Sequence, residues 1–334
     1  MSGPAIELVC PAGTPPALRA AIDAGADTVY VGFRDRTNAR NFPGLNFDRR
    51  ELAEGLDYAH ARGRKVYLAV NTYPPAGEPG PWRAAVDDAA RLGVDAVILA
   101  DIGLLDYCTR VHPGLRRHLS VQASASNPAA IGFFQEAFDV RRVVLPRVLT
   151  LAEIAALNKE VSVETEVFAF GGMCVMAEGR CSLSGYVTGQ SPNTAGVCSP
   201  ASHVRFEERG DAMLARLGDI AIDAFARDEP AGYPTLCKGR FKARGASSYL
   251  FEDPTSLNVA TMLPELQAAG VRALKIEGRQ RGRAYVQRVT AAFRRAIDAV
   301  AAGGPADGPS DSAALADIAE GGRTTGGAYR KTWR

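Results

Sequence analysis

The stretch Val161-Ser162-Val163-Glu164-Thr165-Glu166-Val167-Phe168-Ala169-Phe170 runs straight into Gly171-Gly172, and the contrast between its two sides decides the fold. Before it, strand-like runs at 6–10, 28–33, 65–71, 96–100, 118–122 and 142–145 alternate with helical patterns at 17–24, 48–62, 82–92, 102–111, 128–137 and 150–158. The repeat is about 25 to 35 residues, the length of one βα unit, so the strands are expected to pair in parallel. Helix signals sharpen the pattern. Asn127-Pro128 reads as an N-cap followed by a first-turn proline, Thr150 with Glu153 as a capping box, and Gly63 and Gly93 as helix stops. After Gly172 the periodicity fails until a helical pattern at 255–268, a strand at 273–277 and a long helix at 283–301.

Counting the run at 161–170 as the seventh strand and 273–277 as the eighth, the chain reads as α/β, a (β/α)8 TIM-like barrel with a cysteine-containing insertion after the seventh strand. Residues 1–302 form the barrel, including an excursion at about 171–270. Residues 303–334, opening Gly303-Gly304-Pro305, read as a flexible tail. In such a barrel the loops after the strand C-termini build the active site, and the excursion leaves from one of them. A doubly wound sheet would carry a glycine-rich phosphate turn after its first strand. Cys10-Pro11-Ala12-Gly13-Thr14 does not match that turn, and no Walker A sequence occurs.

The chain has 334 residues, 46% hydrophobic and 23% charged, with a formal charge of +2. That balance argues against a polybasic nucleic-acid or membrane tail. The start of the chain lacks the basic and apolar regions of a secretory signal, and no 18-residue apolar run occurs. A cytoplasmic protein with reduced thiols is expected, so six cysteines are informative. Cys10 and Cys108 fall in regular elements and read as buried thiols. Cys174, Cys181, Cys198 and Cys237 all lie in the excursion, with 6, 16 and 38 residues between successive members. Four soft ligands in one segment point to a metal centre. None of these intervals is the short knuckle usual for structural zinc, and wide spacing suits an iron–sulfur cluster, although no ferredoxin spacing is present. Zinc and plain buried thiols remain the alternatives.

From Glu166 to Gly172-Met173-Cys174 and on to Gly179-Arg180-Cys181-Ser182-Leu183-Ser184, the segment resembles the signature of the collagenase-like (unassigned) peptidase family. Only Gly172 departs, standing where Ser or Ala is usual. With Ser191-Pro192-Asn193 and Gly196-Val197-Cys198-Ser199-Pro200 added, it resembles the branch of that family that works in oxygen-independent ubiquinone biosynthesis. The resemblance extends from Glu7 to Arg279. It implies a [4Fe–4S] cluster on Cys174, Cys181, Cys198 and Cys237. It also implies a heterodimer with a UbiV-like protein, an accessory lipid-binding protein, a ubiquinone precursor hydroxylated on its aromatic ring, and prephenate as oxygen donor. Related members hydroxylate RNA bases, whereas no stable nucleic-acid partner is expected here. Peptidase activity is not expected, since no Ser/His/Asp triad can be placed, H-E-x-x-H is absent and only four histidines occur.

Period-two alternation puts Ser162, Glu164, Glu166, Phe168 and Phe170 on one face, and Lys275 and Glu277 on one face of the eighth strand. In a closed barrel these strands are neighbours. Glu166 and Glu277 are therefore candidates for orienting substrate or moving protons, and Glu164 with Lys275 for an ion pair that fixes register. Arg147 and Arg279, just past the sixth and eighth strands, are candidates for binding a carboxylate. The arginine-rich loop from Arg34 to Arg40 is expected at the same mouth, and His203 reads as a loop histidine close to Cys198.

Overall fold

The computed structural model describes residues 6–176, 180–191, 198–229, 231–306 and 309–331. Eight parallel strands close a barrel: β1 (Glu7–Pro11), β2 (Thr28–Gly32), β3 (Lys65–Val70), β4 (Ala96–Leu99), β5 (Arg117–Leu119), β6 (Val140–Val144), β7 (Glu164–Gly172) and, late in the chain, β14 (Ala273–Ile276). β14 pairs with both β1 and β7, so the ring has no open edge. The first six connections carry α1 (Pro15–Asp23), α2 (Arg49–His60), α3 (Gly80–Leu92), α4 (Ile102–Val111), α5 (Pro128–Phe138) and α6 (Leu151–Glu160). Their starts are fixed locally. Asn127 accepts from the Ala130 amide, and Thr150 and Glu153 cap each other reciprocally. Gly93 ends α3 in the left-handed conformation.

The main core lies between strands and helices. A smaller apolar set, including Val9, Tyr30, Tyr67 and Ile98, fills the barrel interior. Below it, Arg142 reaches from β6 to Glu7 of β1 at 2.9 Å and to Glu164 and Glu166 of β7 at 2.6 and 3.3 Å. Arg116 also holds Glu164, at 2.9 Å. Lys275 instead pairs with Glu166 at 2.6 Å, so the register-fixing ion pair expected between Glu164 and Lys275 is made one residue pair further up β7.

Three further expectations are corrected. A bulge between Phe168 and Phe170 breaks the alternation of β7: Lys275 faces Phe168, but the next residue, Ile276, faces Phe170. Phe170 therefore leaves the interior face and packs on Tyr285 and Phe293 of α9 (Arg283–Ala301). The helix expected over 255–268 is only partly helix. Ser256–Asn258 is β13, paired antiparallel to β7, and the α-helix proper is α8 (Leu263–Ala268). The excursion also holds α7 (Ser182–Thr188) and a three-stranded antiparallel sheet, β8 (Val204–Arg209), β9 (Ala212–Leu217) and β10 (Ile220–Ala226). A hairpin of β11 (Arg240–Ala243) and β12 (Ala246–Tyr249) follows.

The segment expected to be a flexible tail docks instead. α10 (Pro309–Asp317) buries Leu315, β15 (Thr324–Thr325) pairs with β13, and Tyr329 is buried. Buried apolar area holds this end of the chain to the barrel. Among the described residues, no helix is long and apolar enough to cross a membrane.

Candidate functional site at the barrel mouth

The loop after β2 folds over the C-terminal ends of the strands. Its Asn38 is fully buried and donates its amide to the Phe33 carbonyl. The Asn38 carbonyl oxygen accepts from the Arg40 amide at 2.9 Å and from the Arg279 guanidinium at 3.2 Å. Arg279, 5% exposed, thus turns back from the end of β14 and lies over Tyr30. Gly32 makes room for it, since a Cβ there would stand 2.6 Å from the guanidinium. Burial, opposed by Tyr30 and Glu277 and aided by Arg40, brings Arg279 down to about 10, which leaves it cationic at neutral pH. Arg147 follows β6 and stacks on the Phe168 ring, 3.5 Å from its centroid.

Glu277 sits among these cations. Its carboxylate accepts from the Gly172 amide at 3.1 Å and lies 3.9 Å from Arg40. Burial pushes its carboxyl up, but Arg40, Arg147, Arg281 and the Gly172 amide outweigh burial and hold it below the usual carboxylate range. Four guanidiniums, those of Arg40, Arg147, Arg279 and Arg281, thus gather around one carboxylate. Such an excess of guanidinium suits a carboxylate-bearing ligand. Glu166, the other glutamate candidate, lies deeper. It is 1% exposed and is held by Lys275 and Arg142. Lys275, paired with Glu166, also lies 3.8 Å from the centre of the Tyr30 ring.

The four excursion cysteines are free thiols, each partly buried. Cys174 lies two residues past β7. Cys181 caps α7, its sulfur accepting from the Ser184 amide at 3.4 Å. α7 packs on the short 3-10 turn Leu236–Lys238 that carries Cys237. Ser199, next to Cys198, is tied to the same region, with its hydroxyl donating to the Pro234 carbonyl and its own carbonyl accepting from Tyr233 at 2.9 Å. The thiols also sense one another. Burial raises Cys198 to about 11, with Arg40 pulling down and Cys174 and Cys181 pushing up. Burial, together with the charges of Cys198, Cys174 and Cys181, raises Cys237 to about 12, against Lys238.

By the chemistry of its donors, this set suits an iron–sulfur cluster. It consists of four soft thiols in one segment, one of them accepting a backbone N–H. Among the described residues, no three His, Cys, Asp or Glu side chains converge on a common metal position.

His203 contacts the Ser202 hydroxyl at 3.0 Å. His60 and His112 pair with Asp95 and Asp87, and His118 accepts from Arg116. The connection from Cys174 to Cys181 crosses residues 177–179, and that before Cys198 crosses 192–197, both outside the described residues. Sequence reasoning did not single out Asn38, Arg281 or Lys238. Arg40 was visible only as part of an arginine-rich loop.

The chain is 33% identical over 303 residues to the Uncharacterized protease MJ0090 of Methanocaldococcus jannaschii, covering 88% of this chain and 66% of that one. It is 32% identical over 320 residues to tRNA hydroxylation protein P of Escherichia coli, covering 90% and 70%. It is 29% identical over 299 residues to the 23S rRNA 5-hydroxycytidine C2501 synthase of Escherichia coli, covering 88% and 40%. The chain therefore spans about two thirds or less of these relatives' lengths. The profile described as Peptidase family U32 matches residues 13–332. With nearly the whole chain matched, the protein belongs to peptidase family U32.

Proposed function

We propose that this chain is a UbiU-like, iron–sulfur subunit of an oxygen-independent hydroxylase acting on the aromatic ring of ubiquinone precursors. In this reading it is cytoplasmic and works with a UbiV-like protein as heterodimer and with an accessory lipid-binding protein. The observation that carries the reading is a barrel mouth where guanidiniums surround Glu277 at the β7 exit that leads to Cys174, with the Cys181 helix packed on the Cys237 turn. Relatives named for hydroxylation support the reaction class.

Cys174, Cys181, Cys198 and Cys237 would hold a [4Fe–4S] cluster, which supplies one-electron redox chemistry when bound. Hydroxylation replaces an aromatic C–H by C–OH, so without O2 another molecule must bring the oxygen and accept two electrons. Prephenate is that donor in this reading. Arg147 and Arg279 bind its carboxylates, and Glu277, ionised beside them, orients substrate or accepts a proton.

The second reading is an RNA-base hydroxylase, favoured by the same relatives' names. The near-balanced charge of +2 weighs for a small aromatic substrate. Quinones and modified nucleosides of an anaerobically grown deletion strain separate the two. Loss of ubiquinone with intact tRNA and rRNA modification is expected. Intact quinones with a missing hydroxylated nucleoside would establish the second reading. Protein purified without oxygen should contain iron and sulfide, and Cys174→Ala or Cys237→Ala should bleach its visible spectrum. A colourless protein with stoichiometric zinc would overturn the cluster assignment.

A further inference from the structure

Residues 319–330 form a strap across the mouth. Thr324 and Thr325 pair with Ser256 and Leu257 of β13, which in turn pair with Gly172 and Gly171 of β7. The Tyr329 hydroxyl donates to the Phe168 carbonyl at 2.9 Å, and the Glu320 amide donates to the Ser256 hydroxyl at 2.9 Å. The strap is thus anchored at Glu320 and on its C-terminal side, while Leu315 and Ala319 are buried on its N-terminal side.

The Glu320 carboxylate accepts from Arg281 at 2.9 Å and from the Lys238 ammonium, next to Cys237. It also lies over the exit of β7, where a Cβ on Gly172 would stand 3.0 Å from it, two residues before Cys174. One carboxylate therefore touches the turn bearing one thiol and the strand end leading to another. Lys238 is 11% exposed and Glu320 24%, so neither charge is a freely solvated surface group.

We propose that Glu320 is a positioning residue of the thiol site: the C-terminal strap fixes the Cys237 turn against the β7 exit through Lys238 and thereby sets how tightly the site holds its metal group. The proposal rests on the reading of the four thiols as a cluster site.

The test uses the full chain purified without oxygen. Iron and sulfide in the wild type decide the cluster reading by themselves. Glu320→Gln and Lys238→Met are each expected to speed iron release to a chelator about tenfold or more. The double variant is expected to be no faster than either single one, because both remove one interaction. The visible circular dichroism of the bound cluster should shift in both variants.

A second readout needs no metal. The Glu252 amide donates to the Cys237 carbonyl at 3.1 Å, and its hydrogen exchange in the metal-free protein should accelerate in both variants. Lys238→Met leaves the strap's own anchors intact. Wild-type release and wild-type exchange in that variant overturn the proposal. A wild type without iron or sulfide overturns the cluster reading, and accelerated exchange would then still establish the docking contact.

Discussion

Glu277 stays ionised although buried, because burial is opposed by three guanidiniums and a backbone amide. Glu166 is buried more deeply, 1% exposed against 15% for Glu277, and its partners belong to the barrel wall: Lys275 at 2.6 Å and Arg142 at 3.3 Å. The same side chain therefore serves two ends, one at a mouth that can take a ligand and one in the interior. Burial pushes the Lys275 ammonium below its usual range, and Glu166 opposes the shift. Breaking a buried ion pair from one side costs about 3–5 kcal/mol, since the other charge is left without compensation. Glu166→Gln should lose about that much in urea unfolding. Glu277→Gln should lose clearly less, because Arg40 beside it is 23% exposed and can turn to water. Equal losses in the two variants would remove the distinction between an interior and a mouth glutamate.

Among elements, β7 joins barrel to excursion, and its last residues are where local rules give way. Gly171 has φ +133, a region open to glycine and strained for other residues, and a Cβ there would stand 2.6 Å from Glu277 Cβ. Gly171→Ala should therefore cost about 1–3 kcal/mol of stability and displace Glu277. Urea unfolding checks the first, and the second would appear as altered affinity of the mouth for a dicarboxylate in calorimetry. Stability and affinity both at wild-type values would show that the strand end relaxes freely. Alternation and caps made the eight barrel strands, the first six helices and the interior placement of Glu166 legible in the sequence, because these depend on neighbours a few residues away. The bulge that turns Phe170 outward was not legible, since it arises from pairing with β14, about a hundred residues later. Nor were β8 to β12, short strands whose half-exposed faces give no clean period-two signal. The four cysteines stood out because they share one segment. Asn38 and Glu320 did not, because their importance comes from Arg279 and Lys238, which the sequence places far from them.

At the scale of the whole molecule, closure of the barrel gives Glu7 its unusual place. It lies on β1, beside β14, and across the interior it meets Arg142 of β6 at 2.9 Å. It also accepts from the Thr28 hydroxyl at 2.6 Å and the Tyr67 hydroxyl at 2.9 Å, which belong to β2 and β3. One carboxylate thus ties together strands from opposite sides of the ring, and only the closed barrel brings them within reach. Burial pushes this carboxyl up, but Arg142, Thr28 and Lys65 outweigh burial and bring it from 4.5 to about 2. A folded-state value below the unfolded one means the unfolded chain binds protons more readily. The resulting stabilisation is fully present above pH 4.5 and is lost as pH falls from about 4.5 towards 2. A depression of this size corresponds to on the order of 3 kcal/mol. Urea unfolding between pH 3 and pH 7 should therefore show wild-type stability falling steeply below pH 4.5, and Glu7→Gln should be less stable at pH 7 but flatter on the acid side. The gap between the two proteins should narrow steadily towards pH 3. A gap that stays constant across that range would mean that Glu7 contributes packing and hydrogen bonds alone, and that closure of the ring does not depend on its charge.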